Sequence, residues 1–484
     1  MERLIVIFCS LLSKLKKGES FSFLSQSANY MFSTILIRGM QFLTIPIMTA
    51  LLTPSEYGIL GIYTSIVSVF ITVIGLNFDS ATVRFFYDKP EEYEDFFKSV
   101  NLFVTIIGAL MVCIIFLFRQ NLANYFGVDE DIVLFATITP YFNNCYTMFL
   151  STLQAQKQSK KYLCVTLIQR LSALGLTIIL MYVLSSDKYL GKIYAEIIVC
   201  IVTFCLLFKK FYKGAKINLK YVKYAAHIGI PLIPHVLSSF ILSYFARITL
   251  NNVRGLEEAG LFSFAEDIGM VMMIVSMSFN KAWTPIFYEK MNSKDYKGIS
   301  VQTNRIIKIS ILLAIFLLFF AKEMVMLLAD ERYYAALSVV PIIIVGKAFG
   351  PLYTIYSHFS DYFKRTGYIS VGTLFVGVLN LIMNSVFIPK FGAIAGACNA
   401  MLCSIMLFVC HFLISRFILK IEFLRLLPLL KNYCWLFIAA IIFFVGVNYL
   451  STWGFIAIRI VYLIIVLYII FLKNALHYCK KNIE

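Results

Sequence analysis

Apolar runs of about twenty residues, long enough for a helix to cross roughly 30 Å of hydrocarbon, recur along the whole chain between short polar connections. Fourteen such runs predict fourteen membrane-spanning helices, over 26–51, 59–79, 98–118, 132–153, 162–184, 190–208, 222–247, 259–281, 306–328, 335–357, 368–388, 391–414, 432–450 and 455–472. An even number puts both termini on one side of the bilayer. The expected fold class is therefore an all-α polytopic membrane protein.

Composition agrees with that reading. The 484 residues are 60% hydrophobic and 14% charged, with a mean hydropathy of +0.82, so most of the chain sits in lipid. A net charge of +17 would suit a nucleic-acid partner only if the Lys and Arg gathered on one solvated patch. They lie instead between the apolar runs. The connections on the side of the termini carry 31 of them and the opposite connections 7, which places both termini in the cytoplasm. Eleven cysteines without a Cys-x-x-Cys or a Cys/His cluster indicate neither a disulfide framework nor a metal site. The opening MERLIVIFCSLLSKLKKGES has its basic residues after its apolar stretch. It reads as an interfacial helix with Lys14, Lys16 and Lys17 at the headgroups, not as a cleaved signal peptide.

The charges inside the spans carry the functional signal. Arg38, Arg170, Arg247, Lys347 and Arg459 fall within apolar runs, while acidic company is sparser: Asp79, Glu196, and the adjacent Glu266 and Asp267. A charge at membrane depth is costly unless it meets a partner or a polar cavity, and a cationic excess between low-dielectric walls favours an anionic ligand. Helical spacing puts Thr34, Arg38 and Gln41 on one side of the first helix, and His235, Ser239, Ser243 and Arg247 on one side of the seventh. Ser263, Glu266, Asp267, Met270 and Lys281 do much the same in the eighth. Such stripes suit helices that line a polar cavity. Plainer readings stand beside these: Arg38 as a packing ion pair, Arg247 and Arg459 as snorkelling side chains near span ends, Arg170 and Glu196 as structural partners, His235 as a core histidine. Pro46, Pro231, Pro234, Pro285, Pro341 and Pro351 suit either hinges or ordinary kinks.

The chain also echoes itself. PSEYGILGIY leads through an apolar span to FDSATVRFFY, and LEEAGLFSFA leads to FNKAWTPIFY, with Glu56 aligned to Glu258 and Gly58 to Gly260 at an offset of about 200 residues. Two six-helix lobes in the same orientation around a central cavity would follow, a plan used by transporters. The expected organisation is an interfacial N-terminus over 1–21, an N-lobe over 22–211, a C-lobe over 212–420, and two additional C-terminal helices with a tail over 421–484.

Taken together, LLTPSEYG, Asp79 with Arg84, QKQSKKY, ARITLNNVRGLEEAGLFSFA, WTPIFYE and NSVFIPKFGAIAGACNA resemble the Wzx-type flippases. These form the polysaccharide-transporter branch of the multidrug/oligosaccharidyl-lipid/polysaccharide exporter superfamily. The resemblance implies a protein that moves an undecaprenyl-pyrophosphate-linked oligosaccharide from the cytoplasmic to the periplasmic leaflet of a bacterial inner membrane, for O-antigen, capsule or related polysaccharide. It implies a cationic cavity with alternating access, no cofactor, and coupling to a proton or sodium gradient as an open question. A monomer with a polysaccharide polymerase and a chain-length regulator as partners fits that picture. Arg38, Arg247 and Lys347 would face the pyrophosphate, for which guanidinium offers a bidentate fork, with Gln41, Arg84 and Lys281 adding to the cavity. Glu266, Asp267 and Asp79 are the candidates for ion coupling. Gln41, Asn143, Asn144, Asn380 and Asn384 are candidates for sugar hydroxyls, the last two also for joining helices. Where the family often has Asp-Arg, this chain has Ala246-Arg247, so an acid with an ion-coupling role is missing there.

Two other classes compete. A cation-coupled drug exporter of the same superfamily would favour buried carboxylates and lack the last helix pair. A membrane enzyme such as a polysaccharide polymerase would need a catalytic constellation, and the sequence has no His-x-x-x-x-Asp, Gly-x-Ser-x-Gly or phosphate-binding glycine loop. No catalytic or metal-binding residue is expected.

Overall fold

A computed structural model describes residues 39–40, 42–449 and 451–469. Arg38 and Gln41 lie outside the described residues. The described chain is helical: α1 (Phe42–Leu51), α2 (Pro54–Gly75), α3 (Phe78–Asp88), α4 (Tyr93–Leu117), α5 (Arg119–Phe126), α6 (Glu130–Ala155), α7 (Ser159–Val183), α8 (Tyr189–Tyr212) and α9 (Leu219–Gly229) come first. They are followed by α10 (Ile233–Arg254), α11 (Leu256–Asn292), α12 (Tyr296–Phe319), α13 (Ala321–Leu328), α14 (Val340–Lys347), α15 (Gly350–Tyr362), α16 (Gly367–Leu413), α17 (Leu426–Tyr449) and α18 (Thr452–Leu467). Among the described residues ten helical stretches are long and apolar enough to cross a membrane. The shorter apolar helices Phe42–Leu51 and Trp453–Leu467 fall where the first and last spans were expected. The protein is a multi-pass membrane protein with the all-helical architecture that the apolar runs predict.

α16 supplies two of the expected spans. Gly392 takes φ 61°, a left-handed value that costs a glycine little, three residues after Pro389. Asn380 donates from Nδ2 to Cys403 Sγ at 3.3 Å, although 23 residues of straight helix would separate them by about 35 Å. The chain therefore turns back at Gly392. The turn is clamped from outside: the Ala393 N–H donates to Glu258 Oε1 at 2.6 Å, and Arg254 Nη2 donates to the carbonyls of Pro389 and Lys390, both at 2.9 Å.

The described residues form two compact units. One holds Ile66–Ala123 and Asp129–Ile233. Its core is aromatic, with Phe78, Phe85, Phe96, Phe97, Phe149 and Phe211 buried together, and Phe85 stacked on Phe96 at 3.9 Å between ring centroids. Such rings supply large apolar area with defined geometry. Between α2 and α3 the helix breaks at Leu76 and Asn77, both left-handed with φ 52° and 54°.

The other unit holds Ile45–Ser65, Asn124–Val128 and the chain from Pro234 onward. Here α2 starts at a capping box: Glu56 Oε2 accepts from the Thr53 N–H at 2.8 Å, and Thr53 Oγ1 accepts from the Glu56 N–H at 3.3 Å. The first turns of α2 and α11 then cross with no side chain between them. A Cβ on Gly58 would overlap the Leu256 carbonyl, and one on Gly260 would overlap that of Pro54. The two copies of the sequence echo thus meet in space, glycine against glycine. At the far end of this unit Arg459 is 5% exposed, donates to Glu323 Oε1 at 2.6 Å, and lies 4.3 Å from the Phe455 ring centroid. The guanidinium is thus held by packing and an ion pair.

Candidate functional site

The crossing of α2 and α11 positions a polar cluster in an otherwise apolar interior. Tyr57, one residue before the glycine contact and 6% exposed, donates its hydroxyl to Asp267 Oδ2 at 2.6 Å. Its ring meets Phe264 and Tyr333 edge-on, at 6.3 and 5.7 Å, and Tyr333 is fixed in turn by a 3.1 Å bond to the Leu52 carbonyl. Glu266, the neighbour of Asp267, is directed elsewhere. Successive helical residues diverge by about 100°, and Glu266 Oε2 lies 2.8 Å from Lys347 Nζ on α14. This ion pair borders a cavity of about 60 Å³, whose lining includes Gly346, Ala400, Met401, Cys403 and Ser404.

Arg247 on α10 completes the cluster. It is 7% exposed, its guanidinium carbon lies 5.4 Å from the Tyr244 ring centroid, and its Nε has no hydrogen-bond partner among the described residues. Its Cδ runs past Gly61, which also abuts Ser263, so the arginine lies against the α2–α11 crossing. A buried guanidinium with an unused N–H is a ready donor to an anion.

Four of the residues singled out from the sequence therefore come together: Arg247, Glu266, Asp267 and Lys347. Their formal charges balance within the described residues, two cations against two carboxylates, so the expected cationic excess is not present in this part of the cluster. Lys281 is fourteen residues beyond Asp267 on the same helix, about 21 Å along the axis, and is exposed. Arg84 and Asp79 belong to the first unit. Arg84 is an exposed side chain 3.7 Å from Asp88, one turn along α3, and Asp79 is half-buried in the first turn of that helix. Arg170 and Glu196 also lie in the first unit, as do Cys200 and Asn143, whose Sγ and Oδ1 are 3.8 Å apart.

Asn380 and Asn384 are committed to the seam inside α16. Asn384 Nδ2 donates to Asn380 Oδ1 and Asn399 Nδ2 to Asn384 Oδ1, both at 2.9 Å, with all three side chains buried. They join the two arms of the hairpin. Tyr57 is the site residue that sequence reasoning passed over. A signal was present: in the echo PSEYG against LEEAG, Tyr57 stands opposite Ala259, the place where the second copy lacks a side chain able to bond.

Comparison with known proteins places this architecture. The lipid II flippase MurJ, in an inward closed conformation, superposes with a TM-score of 0.70 at 17% identity, over 95% of this chain and 100% of that one. An inward-facing multidrug resistance MATE family transporter of the MOP superfamily superposes with a TM-score of 0.61 at 14% identity, over 82% and 96%. At these identities the likeness is one of fold. An Lsg locus protein of Haemophilus influenzae is 24% identical over 282 residues, so the match spans 55% of this chain and 66% of that relative, just short of two thirds of its length. The chain thus has a fold like that of MurJ and of the MATE family transporter. The family model described as polysaccharide biosynthesis protein matches residues 23–291, and the chain belongs to that family, in keeping with its resemblance to the Wzx-type flippases.

Proposed function

We propose that this protein is a flippase that moves an undecaprenyl-pyrophosphate-linked oligosaccharide from the cytoplasmic to the periplasmic leaflet of a bacterial inner membrane by alternating access. The observation that carries this reading is Arg247, a buried guanidinium whose Nε–H has no partner among the described residues, in a polysaccharide biosynthesis family. A pyrophosphate-linked sugar loses its hydration in hydrocarbon, so its carrier must supply charge and hydrogen bonds along the way. The polyprenyl tail can stay in lipid throughout. In this mechanism Arg247 binds phosphate directly, Lys347 exchanges Glu266 for phosphate, and Arg38 is a further candidate for the same anion.

The test is translocation in a strain that lacks its own flippase and makes the native oligosaccharide. Wild type, Arg38→Ala, Arg247→Ala, Arg247→Lys and Lys347→Ala are compared at matched membrane expression, and the readout is lipid-linked oligosaccharide accessible from the periplasm. Rescue by wild type and loss in the alanine variants is the expected result. Failure of the wild type with its native oligosaccharide would overturn the flippase reading, and equal activity of all variants would remove the arginines and Lys347 from the mechanism.

A further inference from the structure

The packing of α7 leaves a space that the cluster around Arg247 does not use. α7 lies against α8 and is pressed to it near the turn between them, where a Cβ on Gly191 would sit 2.8 Å from the Met181 N. Elsewhere it is mostly uncovered, with 17% of its most apolar window buried in the protein. Between α7, α8 and the buried Tyr146 and Phe149 of α6 is a hollow of about 660 Å³. The whole of it belongs to the first unit. An added Cβ on Gly175, in its wall, would meet nothing within 4 Å.

The hollow lies in helices whose composition suits the bilayer, and its rim is apolar and open: Ile168, Leu171, Ile179, Val202 and Leu206 are each more than half exposed. Of its polar wall groups, Thr203 spends its hydroxyl on the Val199 carbonyl at 2.7 Å. A void of this size is foreign to a close-packed protein, and an apolar one does not draw in water. Hydrocarbon is its natural content. The hollow is also long, following α7 from Val165 to Ile179, about 21 Å along the axis, against about 15 Å for the hydrocarbon of one leaflet. A phospholipid acyl chain ends near the midplane, whereas a longer isoprenoid chain passes it. One end, finally, is cationic. Lys161 is one turn before Val165 and Lys209 one turn after Leu206, so each continues a helical face that lines the hollow, and both are exposed.

We propose that this hollow binds the isoprenoid chain of a polyprenyl-phosphate lipid, with the phosphate at Lys161 and Lys209. The proposal rests on the flippase reading above for the supply of such a lipid, and adds a place for its chain in the first unit. Apolar burial holds the chain, and the lysine ammonium groups, point-charge partners for phosphate, set its direction. Because the rim is open, the chain enters sideways from the bilayer without leaving hydrocarbon. The charge count puts the lysine end on the cytoplasmic side, so the hollow receives the lipid on the side from which translocation starts.

The test is photolabelling of the full chain in nanodiscs of phosphatidylethanolamine and phosphatidylglycerol, with probes that carry a diazirine in the chain: a polyprenyl phosphate, the uncharged polyprenol and a phosphatidylglycerol. The polyprenyl phosphate should label peptides of α7 and α8, and an excess of unlabelled polyprenyl phosphate, but not of phosphatidylglycerol, should displace that label. Gly175→Phe fills the hollow in a helix that favours the change, and should lower the displaceable label about tenfold, the scale on which an apolar pocket discriminates by fit. Ser172→Phe fills it independently. Lys161→Gln with Lys209→Gln should bring the polyprenyl phosphate down to the label given by polyprenol, and an unchanged label would overturn the phosphate assignment. Equal, mutually displaceable labelling by polyprenyl phosphate and phosphatidylglycerol would assign the hollow to bulk lipid. That result, no displaceable label on α7 and α8, or a label untouched by both filling variants would each overturn the proposal. Should the variants fail to fold, displacement in the wild type decides alone. No sugar and no translocation enter the measurement, so a failed translocation test with displaceable label intact leaves the chain site standing, and the reverse removes the site alone.

Discussion

Gly58 and Gly260 pack against each other's helix backbone where α2 and α11 cross, each occupying the place where a side chain would strike the carbonyl of the other helix. The contact sets how close the two helices come, and so where Tyr57 stands relative to Asp267.

Substituting either glycine should separate the helices. Gly58→Leu and Gly260→Leu are each expected to lower stability by about 1–3 kcal/mol, the usual cost of overpacking, with the double variant costing less than the two single losses together because both act on one contact. Thermal melting of the detergent-purified protein, followed by retention of the folded elution peak, checks both points.

The Lys347–Glu266 pair, with side chains 29% and 10% exposed, should respond asymmetrically. Lys347→Met leaves a largely buried carboxylate without its partner and is expected to cost about 3–5 kcal/mol, whereas Lys347→Met combined with Glu266→Leu should recover much of that loss. A double-mutant cycle on denaturation midpoints reads the coupling.

Tyr57→Phe removes one hydroxyl and its 2.6 Å bond to Asp267 while keeping the ring in its cage. A hydrogen bond to a charged group is worth about 1.5–3 kcal/mol, so the expected result is a fall in melting temperature with an unchanged fold. Tyr57→Ala should cost more, since the edge contacts with Phe264 and Tyr333 go as well.

Outside the membrane, Asp295 caps α12. Its Oδ2 lies 2.6 Å from Lys290 Nζ and its Oδ1 accepts from the Gly298 N–H at 2.8 Å. Lys290 first, and the Gly298 N–H second, hold this carboxyl below its ordinary value of 3.8. A group whose folded pKa is depressed stabilises the protein above its unfolded pKa and loses that contribution as pH falls through the folded one. Stability due to Asp295 should therefore be intact above about pH 4–5 and vanish below. Melting curves between pH 3 and 6 should show a smaller acid-side drop for Asp295→Asn than for the wild type.

Much of this architecture is legible along the chain because a bilayer makes local composition decisive: a run of about twenty apolar residues has few alternatives to a spanning helix. The same logic picked out Arg247, Lys347, Glu266 and Asp267, since a charge in such a run stands out against its background. The echo of PSEYG in LEEAG marked two stretches as equivalent. Which charge meets which lay beyond the sequence. The pairing of Lys347 with Glu266 and of Tyr57 with Asp267 depends on crossings between helices far apart in the chain, and a periodicity of 3.6 residues says which face a residue occupies but not what is opposite. The same holds for Arg459, which the sequence left at a span end and which Glu323 and Phe455 hold in the interior. Apolar length determined the helices; the close approach allowed by a few glycines determined the contacts between them.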